Sequence, residues 1–421
     1  MEMMTRFDTI TVNIRGRVLC YSALLLFMVS CVSKDIYKDN TTRTVLVYMA
    51  ADNSLADNAS SNIYSMMYEM KPKMENVNLL VFVDRRYSRP ALLHLHDMQI
   101  DTVKKYPECN SASADVLAKV IEDVTTNWAA ETYGLVLWSH GYGWVPTSKL
   151  HYVCANYNYA RRRNGYADES LDGWFEMTGT KGFGYESRPN QNPQYTSMEL
   201  EDMANAIPDN VFDYIVFDAC YMGNVEVAYA LRNKAHSIVS CVCEIPTYGY
   251  PYHKITRDLM NRNLINVCQK FHQYYNGFIG WHQMACISLV NTEGLDSLAR
   301  CFSKIVTHYE SSIPDMDVNG IQFFDCYDHH VFYDLQNVVE RIDTEKLYIK
   351  EFLLQLDRCV PYKINTPYIF PNSVADSRSP QYEIEIKSYC GMSVYIPKRE
   401  YDAPGLNDDY RMTEWSRDTG Y

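Results

Sequence analysis

Several features that mark other protein classes are missing from this 421-residue sequence. It has no long cluster of Lys and Arg, and 39 basic residues face 52 acidic ones, giving a formal charge of −13. A field of this sign disfavours polyanions, so we expect no nucleic-acid partner. The sequence also contains no internal repeat, no low-complexity tract, no phosphate-binding glycine loop and no dinucleotide fingerprint.

The composition does supply material for a folded core. Hydrophobic residues make up 47% of the chain, aromatic residues 13% and charged residues only 22%. These values exclude a wholly disordered chain, and the length is compatible with two ordinary domains or one large α/β domain.

The N-terminus predicts export. Arg15 and Arg17 precede an apolar run over 18–29, which is too short to span a bilayer comfortably and is typical of a signal peptide. Cys31 follows directly after a small residue, in a context that resembles the lipobox of bacterial lipoproteins. We therefore predict a signal peptide over 1–30, lipidation at Cys31, and a membrane-anchored protein on the periplasmic or cell-surface side. Ordinary signal cleavage without lipidation is the alternative.

The thirteen cysteines do not pair at metal-like spacings, and neither the histidines nor the cysteines form a four-ligand set by spacing alone. We therefore predict no metal site. An exported protein can form disulfides, but the sequence does not determine their connectivity.

Buried-type strands alternate with helical patterns along the chain. Strands are predicted at 44–50, 78–84, 92–96, 133–139, 213–220, 237–242 and 284–290. Helices are predicted at 55–70, 114–127, 196–206 and 225–232, the third opening on a capping box at Thr196–Glu199. This alternation predicts an α/β fold with a mostly parallel sheet covered by helices on both faces.

Chemically versatile residues follow two consecutive predicted strands. His140 and Gly141 end one strand, and Asp218 and Cys220 end the next. Ligand sites of such sheets lie beyond the carboxyl ends of the strands, where the imidazole and the thiol can meet. A cysteine needs a basic partner to become a nucleophilic thiolate, so we predict His140 as the base and Cys220 as the nucleophile. The backbone amides of Gly141 and Cys220, or that of Gly223, are candidates for an oxyanion hole.

Other interpretations of these residues remain open. A cysteine at a strand end is often only a small buried hydrophobe. The protein could also be a lipid-anchored binding module that keeps the fold without turnover. A serine hydrolase is a third alternative because 137–141 superficially resembles a lipase oxyanion segment, although no Gly-x-Ser-x-Gly elbow follows.

Four segments of the chain carry a family resemblance, namely 45–55, 138–144, 217–229 and 391–397. Together they closely resemble the clostripain family of cysteine peptidases, peptidase C11, over roughly residues 43–421. The resemblance implies a caspase-like fold and cleavage of peptides after Arg or Lys. It also implies His140 as catalytic base, Cys220 as nucleophile and Asp218 as the acid that binds the basic side chain.

Elementary chemistry supports a substrate-binding role for Asp218. Residues i and i+2 of a strand share a face, so Asp218 and Cys220 would address one pocket. A carboxylate can bind a guanidinium with two hydrogen bonds. The alternative role for Asp218 is to cap the following turn. Glu244 is a second candidate acid for the pocket, beside a segment at 249–252 that differs from the family's usual Gly-Trp-Pro-Tyr.

The resemblance also bears on processing and organisation. The irregular stretch 142–195 is long for a compact domain, and in the family such a segment can be cut by the enzyme itself. The candidate cleavage sites are Arg161, Arg162 and Arg163. The predicted organisation is a signal peptide, a tether at 31–42, a peptidase core at 43–310 and an accessory C-terminal helical and strand region at 311–421 packed on the core. No cofactor is required for the chemistry. Calcium stabilises some relatives, but no calcium site can be placed here.

Overall fold

The computed structural model describes residues 42–71, 74–153, 183–186, 196–370 and 383–421. Its strands are β1 Arg43–Ala51, β2 Val77–Arg85, β3 Ser88–His96, β4 Gln99–Lys105, β5 Thr132–Trp138, β6 Phe183–Glu186, β7 Thr196–Met198, β8 Phe212–Asp218, β9 Ala235–Cys241, β10 Cys286–Asn291, β11 Tyr333–Asp334, β12 Tyr362–Asn365, β13 Tyr368–Ile369, β14 Ile384–Glu385 and β15 Ser393–Val394. Its α-helices are α1 Ala56–Glu69, α2 Ala114–Asn127, α3 Thr147–Val153, α4 Leu200–Ala206, α5 Val225–Ala230, α6 Tyr252–Met260, α7 Leu264–Asn276, α8 Leu295–Tyr309, α9 Leu335–Ile342, α10 Ile349–Cys359, α11 Leu406–Tyr410 and α12 Glu414–Thr419.

Nine strands of the described residues form one sheet, in the order β12-β10-β9-β8-β5-β1-β2-β3-β4. The five central strands from β9 to β2 pair in parallel. The strands outside them pair antiparallel at both edges. The predicted α/β fold with a mostly parallel sheet is therefore confirmed at its centre, where β-branched and apolar runs are buried on both faces.

The two faces of the sheet carry separate apolar clusters. In β1, Leu46 and Tyr48 belong to one cluster, whereas Val45 and Val47 belong to the other, as the alternation of side chains along a strand requires. The first face packs against α2, α8, α9 and the C-terminal helices. The second face packs against α1, α6 and α7. Helices therefore cover both faces and leave the carboxyl ends of the central strands for a site.

Residues beyond 310 belong to the same body. Strand β12 adds to the main sheet next to β10, and the hydrophobic residues within 331–335 and 390–396 lie in the first apolar cluster. Ser393 N–H donates to the carbonyl of Gly223 at 3.0 Å, so the C-terminal region reaches the turn that follows β8. The boundary at residue 310 stays a prediction.

One predicted local feature differs in the structure, and several others lie outside the described residues. The predicted capping box at Thr196–Glu199 is wrong, because 196–198 pair with β6 as a strand and Glu199 precedes α4 without a side-chain cap bond. The signal peptide, Cys31 and the arginines at 161–163 lie outside the described residues. Among the helices of the described residues, none combines the length and apolar character of a membrane span.

Candidate active site

The two predicted strand ends are neighbours in the sheet. Strand β5 runs parallel to β8 with Trp138 opposite Asp218, and Ser139 N–H extends the ladder by donating to the Asp218 carbonyl at 3.2 Å. His140 and Cys220 therefore each lie two residues beyond adjoining strands. Strand β8 ends at Asp218, two residues earlier than expected, so Cys220 belongs to the following turn and the same-face argument for Asp218 and Cys220 does not apply.

The backbone at Gly141 lies directly against the Cys220 turn. A Cβ atom at position 141 would lie 2.5 Å from the Cys220 carbonyl oxygen and 2.9 Å from the Ala219 Cβ. Glycine is required here for close approach. Any side chain at this position would push the loop that carries His140 away from the cysteine.

The turn that carries Cys220 is strained and tightly held. The next residue, Tyr221, is buried and has a left-handed φ of 59°, which is unfavourable for a bulky side chain. Its N–H donates to the Cys243 carbonyl at 3.1 Å, and its own carbonyl accepts from Asn224 Nδ2 at 2.7 Å. Gly223 N–H donates to the Cys241 carbonyl at 2.8 Å, so this amide is already engaged and the suggested oxyanion role for Gly223 is wrong for this conformation.

The Cys220 thiol is partly buried against the segment after β9. Ile245 N–H donates to the Cys220 sulfur at 3.3 Å, and the sulfur lies 3.8 Å from the Ile245 carbonyl oxygen. Burial raises the pKa of the Cys220 thiol, and the nearby negative charge of Glu244 raises it further. In this conformation the group is a neutral thiol at neutral pH.

The His140 imidazole is buried and contacts a residue that the sequence reasoning missed. Its Nε2 lies 3.1 Å from Ser54 Oγ, and its carbonyl accepts from Gly184 N–H at 3.0 Å. Burial lowers the pKa of His140 to about 4, so the ring is neutral. Ser54 follows β1, the neighbour of β5. The rule that directs attention to strand carboxyl ends, applied to β1, would have found it.

Asp218 is buried, with 5% of its surface exposed. Its Oδ2 accepts hydrogen bonds from Tyr250 N–H at 3.1 Å and from Tyr252 Oη at 3.0 Å. A Cβ at Gly249, whose φ is 65°, would lie 2.9 Å from the same oxygen. Burial raises the pKa of Asp218 to about 7, although both hydrogen bonds favour the charged form. Tyr250, which stands where the family usually has tryptophan, thus contacts the carboxyl group through its backbone N–H.

Glu244 begins the segment that contacts both Cys220 and Asp218. It is partly buried, and its Oε1 accepts from Tyr221 Oη at 3.1 Å. Its neighbour Ile245 contacts the Cys220 sulfur, and the residues at 249–252 contact Asp218. We call residues 244–252 the pocket segment. It brings the thiol and two carboxyl groups to one place.

Metal ligands and disulfides are not part of this arrangement. Throughout the described ranges, no group of three or more His, Cys, Asp or Glu side chains could hold a metal ion. Within those ranges Cys220 is a free thiol.

Adjoining strand ends that lead to a histidine and a cysteine, with two carboxyl groups at the pocket segment, are an arrangement typical of cysteine hydrolases on an α/β sheet. Residues 47–164 and 164–352 match the model of the clostripain family, peptidase C11. The chain therefore belongs to the clostripain family, and the resemblance inferred from its motifs is confirmed.

Individual relatives agree with this assignment. Clostripain from Hathewaya histolytica is 26% identical over 254 residues, which cover 53% of this chain and 43% of clostripain, so the match spans less than half of that protein. The structure of an inactive zymogen C11 protease from Parabacteroides distasonis is 29% identical with a TM-score of 0.73, covering 90% of this chain and 98% of that one. A secreted C11 cysteine protease from Bacteroides thetaiotaomicron, in complex with an irreversible peptide inhibitor, is 25% identical with a TM-score of 0.71 and coverages of 90% and 99%.

Proposed function

We propose that this protein is a cysteine endopeptidase that cleaves peptide bonds after Arg or Lys. The observation that carries the proposal is the pocket segment, which contacts the Cys220 sulfur at one end and the buried Asp218 carboxyl at the other. A nucleophile and a carboxyl group that share one wall suit a substrate whose basic side chain lies close to its scissile carbonyl.

In the proposed reaction Cys220 attacks the substrate carbonyl. The resting pair is a neutral thiol and a neutral imidazole, so His140 takes the thiol proton as the C–S bond forms and then donates it to the leaving amine. The amides of Gly141 and Cys220 stabilise the oxyanion, and water then hydrolyses the acyl-enzyme.

Asp218 is the proposed selector of the basic side chain. A guanidinium or ammonium group entering the pocket would favour the ionised carboxylate and displace its proton. Glu244 is the second acid and lies close enough to affect the Cys220 pKa. A bound cation would offset that negative charge, so the preferred substrate would itself favour the reactive thiolate.

Processing and location are further parts of the proposal. We propose maturation by self-cleavage after Arg161, Arg162 or Arg163. We also propose anchoring to a membrane through lipidated Cys31, on the periplasmic or cell-surface side. The existence of a zymogen structure for the Parabacteroides distasonis relative supports the maturation step. Gel analysis of wild type beside Cys220→Ala tests it: fragments from wild type alone are expected, and the same pattern in both chains would contradict self-cleavage.

Hydrolysis of matched fluorogenic peptides ending in Arg, Lys or Ala tests the proposed activity. We expect turnover of the Arg and Lys peptides only, abolished in Cys220→Ala and reduced in His140→Ala. No turnover after any basic residue by cleaved or uncleaved protein would instead favour a binding module. Ester hydrolysis that survives Cys220→Ala would indicate a different nucleophile, as in a serine hydrolase.

A further inference from the structure

The strained turn after the nucleophile is packed against aromatic rings from a distant part of the chain. The Tyr221 ring stacks on Phe332, with centroids 4.9 Å apart and planes 6° apart. It also lies 5.5 Å from the Tyr327 ring at a tilt of 48°. We call Tyr327 and Phe332 the aromatic bracket. Because Tyr221 directly follows Cys220, the position of the bracket bears on the position of the sulfur.

One carboxylate holds the loop that carries both bracket rings. Asp325 is fully buried and lies two residues before Tyr327. Its Oδ1 accepts from Tyr327 N–H at 3.0 Å and from His330 Nδ1 at 2.8 Å. Its Oδ2 accepts from the N–H groups of Val331 and Phe332, both at 3.0 Å. Four hydrogen bonds to one carboxylate fix the backbone at both ends of the bracket.

We propose that Asp325 is a positioning residue for the nucleophile, acting through the aromatic bracket and Tyr221. This inference rests on the proposed peptidase function. A left-handed tyrosine persists only where its surroundings hold it. When the bracket loosens, Tyr221 can relax toward ordinary backbone angles and carry Cys220 out of register with His140.

The aromatic bracket can also affect the position of the Cys220 sulfur through a second set of contacts. The hydroxyl of Tyr221 donates to Glu244, whose neighbour Ile245 donates its N–H to the Cys220 sulfur. A shift of the Tyr221 ring would therefore disturb both sides of the nucleophile. The Asp218 carboxyl is held by Tyr250 and by Tyr252. We therefore expect loss of Asp325 to lower kcat much more than it changes KM.

Asp343 provides a matched control within the same C-terminal region. It is also buried and accepts from the N–H groups of Leu347, Tyr348 and Ile349 and from the Tyr309 hydroxyl, at 2.7–3.0 Å. These bonds organise the start of α10. Asp343→Asn therefore removes a comparable buried carboxylate whose hydrogen-bond partners belong to another turn.

The test compares Asp325→Asn, Asp343→Asn and Phe332→Leu with wild type in the full chain. Two readouts are needed: kcat and KM on an Arg peptide, and the alkylation rate of Cys220 by iodoacetamide, followed by mass mapping of that peptide. We expect Asp325→Asn and Phe332→Leu each to lower kcat about tenfold or more with KM within about twofold, and to change the alkylation rate about fivefold. Asp343→Asn should lower thermal stability while keeping kcat and alkylation near wild type.

Two results would overturn the inference. The first is an Asp325→Asn chain that is as destabilised as Asp343→Asn yet keeps wild-type kcat and alkylation. The second is an effect on KM alone. Where Asp325→Asn does not fold, Phe332→Leu carries the same comparison with Asp325 intact. If wild type cleaves no basic peptide, the proposed function fails, but the alkylation rates still test the positioning role.

Discussion

Replacement of Asp218 by asparagine is expected to make the folded chain more stable at pH 8 while removing cleavage after basic residues. Both hydrogen bonds to Asp218 arrive at Oδ2, from Tyr250 N–H and Tyr252 Oη. An asparagine carbonyl oxygen placed there accepts both bonds, so the substitution removes a charge and preserves the contacts. What changes is the cost of keeping an ionised group in a buried site.

The magnitude follows from the pKa. Burial raises the pKa of Asp218 to about 7 in the folded chain, whereas an unfolded aspartate titrates near 3.9. The folded chain therefore binds this proton more tightly, and the associated stability is complete below about pH 3.9 and is lost as the pH rises to about 7. A shift of one pKa unit corresponds to about 1.4 kcal/mol. Between pH 5 and pH 8 the free energy of unfolding of the Asp218 chain should therefore fall by about 3 kcal/mol relative to that of the asparagine chain.

Urea denaturation at pH 5 and pH 8 measures this difference. Both chains should carry Cys220→Ala, so that self-processing cannot intervene. Asp343→Asn is the control of opposite type: burial alone would raise the pKa of Asp343, but hydrogen bonds from backbone amides outweigh it and hold the pKa below its usual value. The stability that the ionised Asp343 contributes is complete above about pH 3.9. Asp343→Asn should therefore lower the free energy of unfolding by the same amount at pH 5 and at pH 8. A constant stability difference between Asp218→Asn and its parent at the two pH values would refute the reasoning.

Three further substitutions probe the same site. Glu244→Gln removes a negative charge that raises the Cys220 pKa, so the pH profile of Cys220 alkylation should move to lower pH; an unchanged profile would show that burial alone sets the pKa. Gly143→Ala adds a Cβ 2.5 Å from Asn224 Nδ2 at a φ of 62°, and should cost about 1–3 kcal/mol by thermal denaturation, with an unshifted Tm as the contrary result. Ser54→Ala should lower kcat about tenfold at constant KM in peptide hydrolysis, because His140 loses its Nε2 partner; unaltered kcat would remove Ser54 from the site.

The residue pattern was sufficient to predict the sheet centre and the pairing of the two strands that lead to His140 and Cys220. The run at 44–50 is continuously apolar or β-branched, as expected of a strand buried on both faces. Once consecutive strands are taken as neighbours, their carboxyl ends meet, and β5 and β8 do pair.

Other features depend on contacts that no local pattern encodes. Strand β8 ends at Asp218 although the following Ala-Cys continues its apolar character, because Tyr221 adopts a left-handed turn held by the Cys243 carbonyl and by Asn224. The polar cluster at Thr196–Glu199 predicted a helix start, but pairing with β6 draws it into a strand. The stacking of Tyr221 on Phe332 joins residues too far apart in the chain for any periodicity to relate them.

The pocket segment has a consequence for attempts to redesign this protein. Residues 244–252 contact both the Cys220 sulfur and the Asp218 carboxyl. Under the proposed function, substitutions in this segment that change the accepted side chain should therefore also change the reactivity of the sulfur. Variants selected for a new cleavage preference should therefore show a shifted pH optimum. They should also react at a different rate with thiol-reactive inhibitors, including inhibitors that have no side chain to enter the pocket. If the proposed basic preference holds, selection for a neutral or acidic preference would also have to restore the reactivity of Cys220, so single substitutions should rarely change the preference.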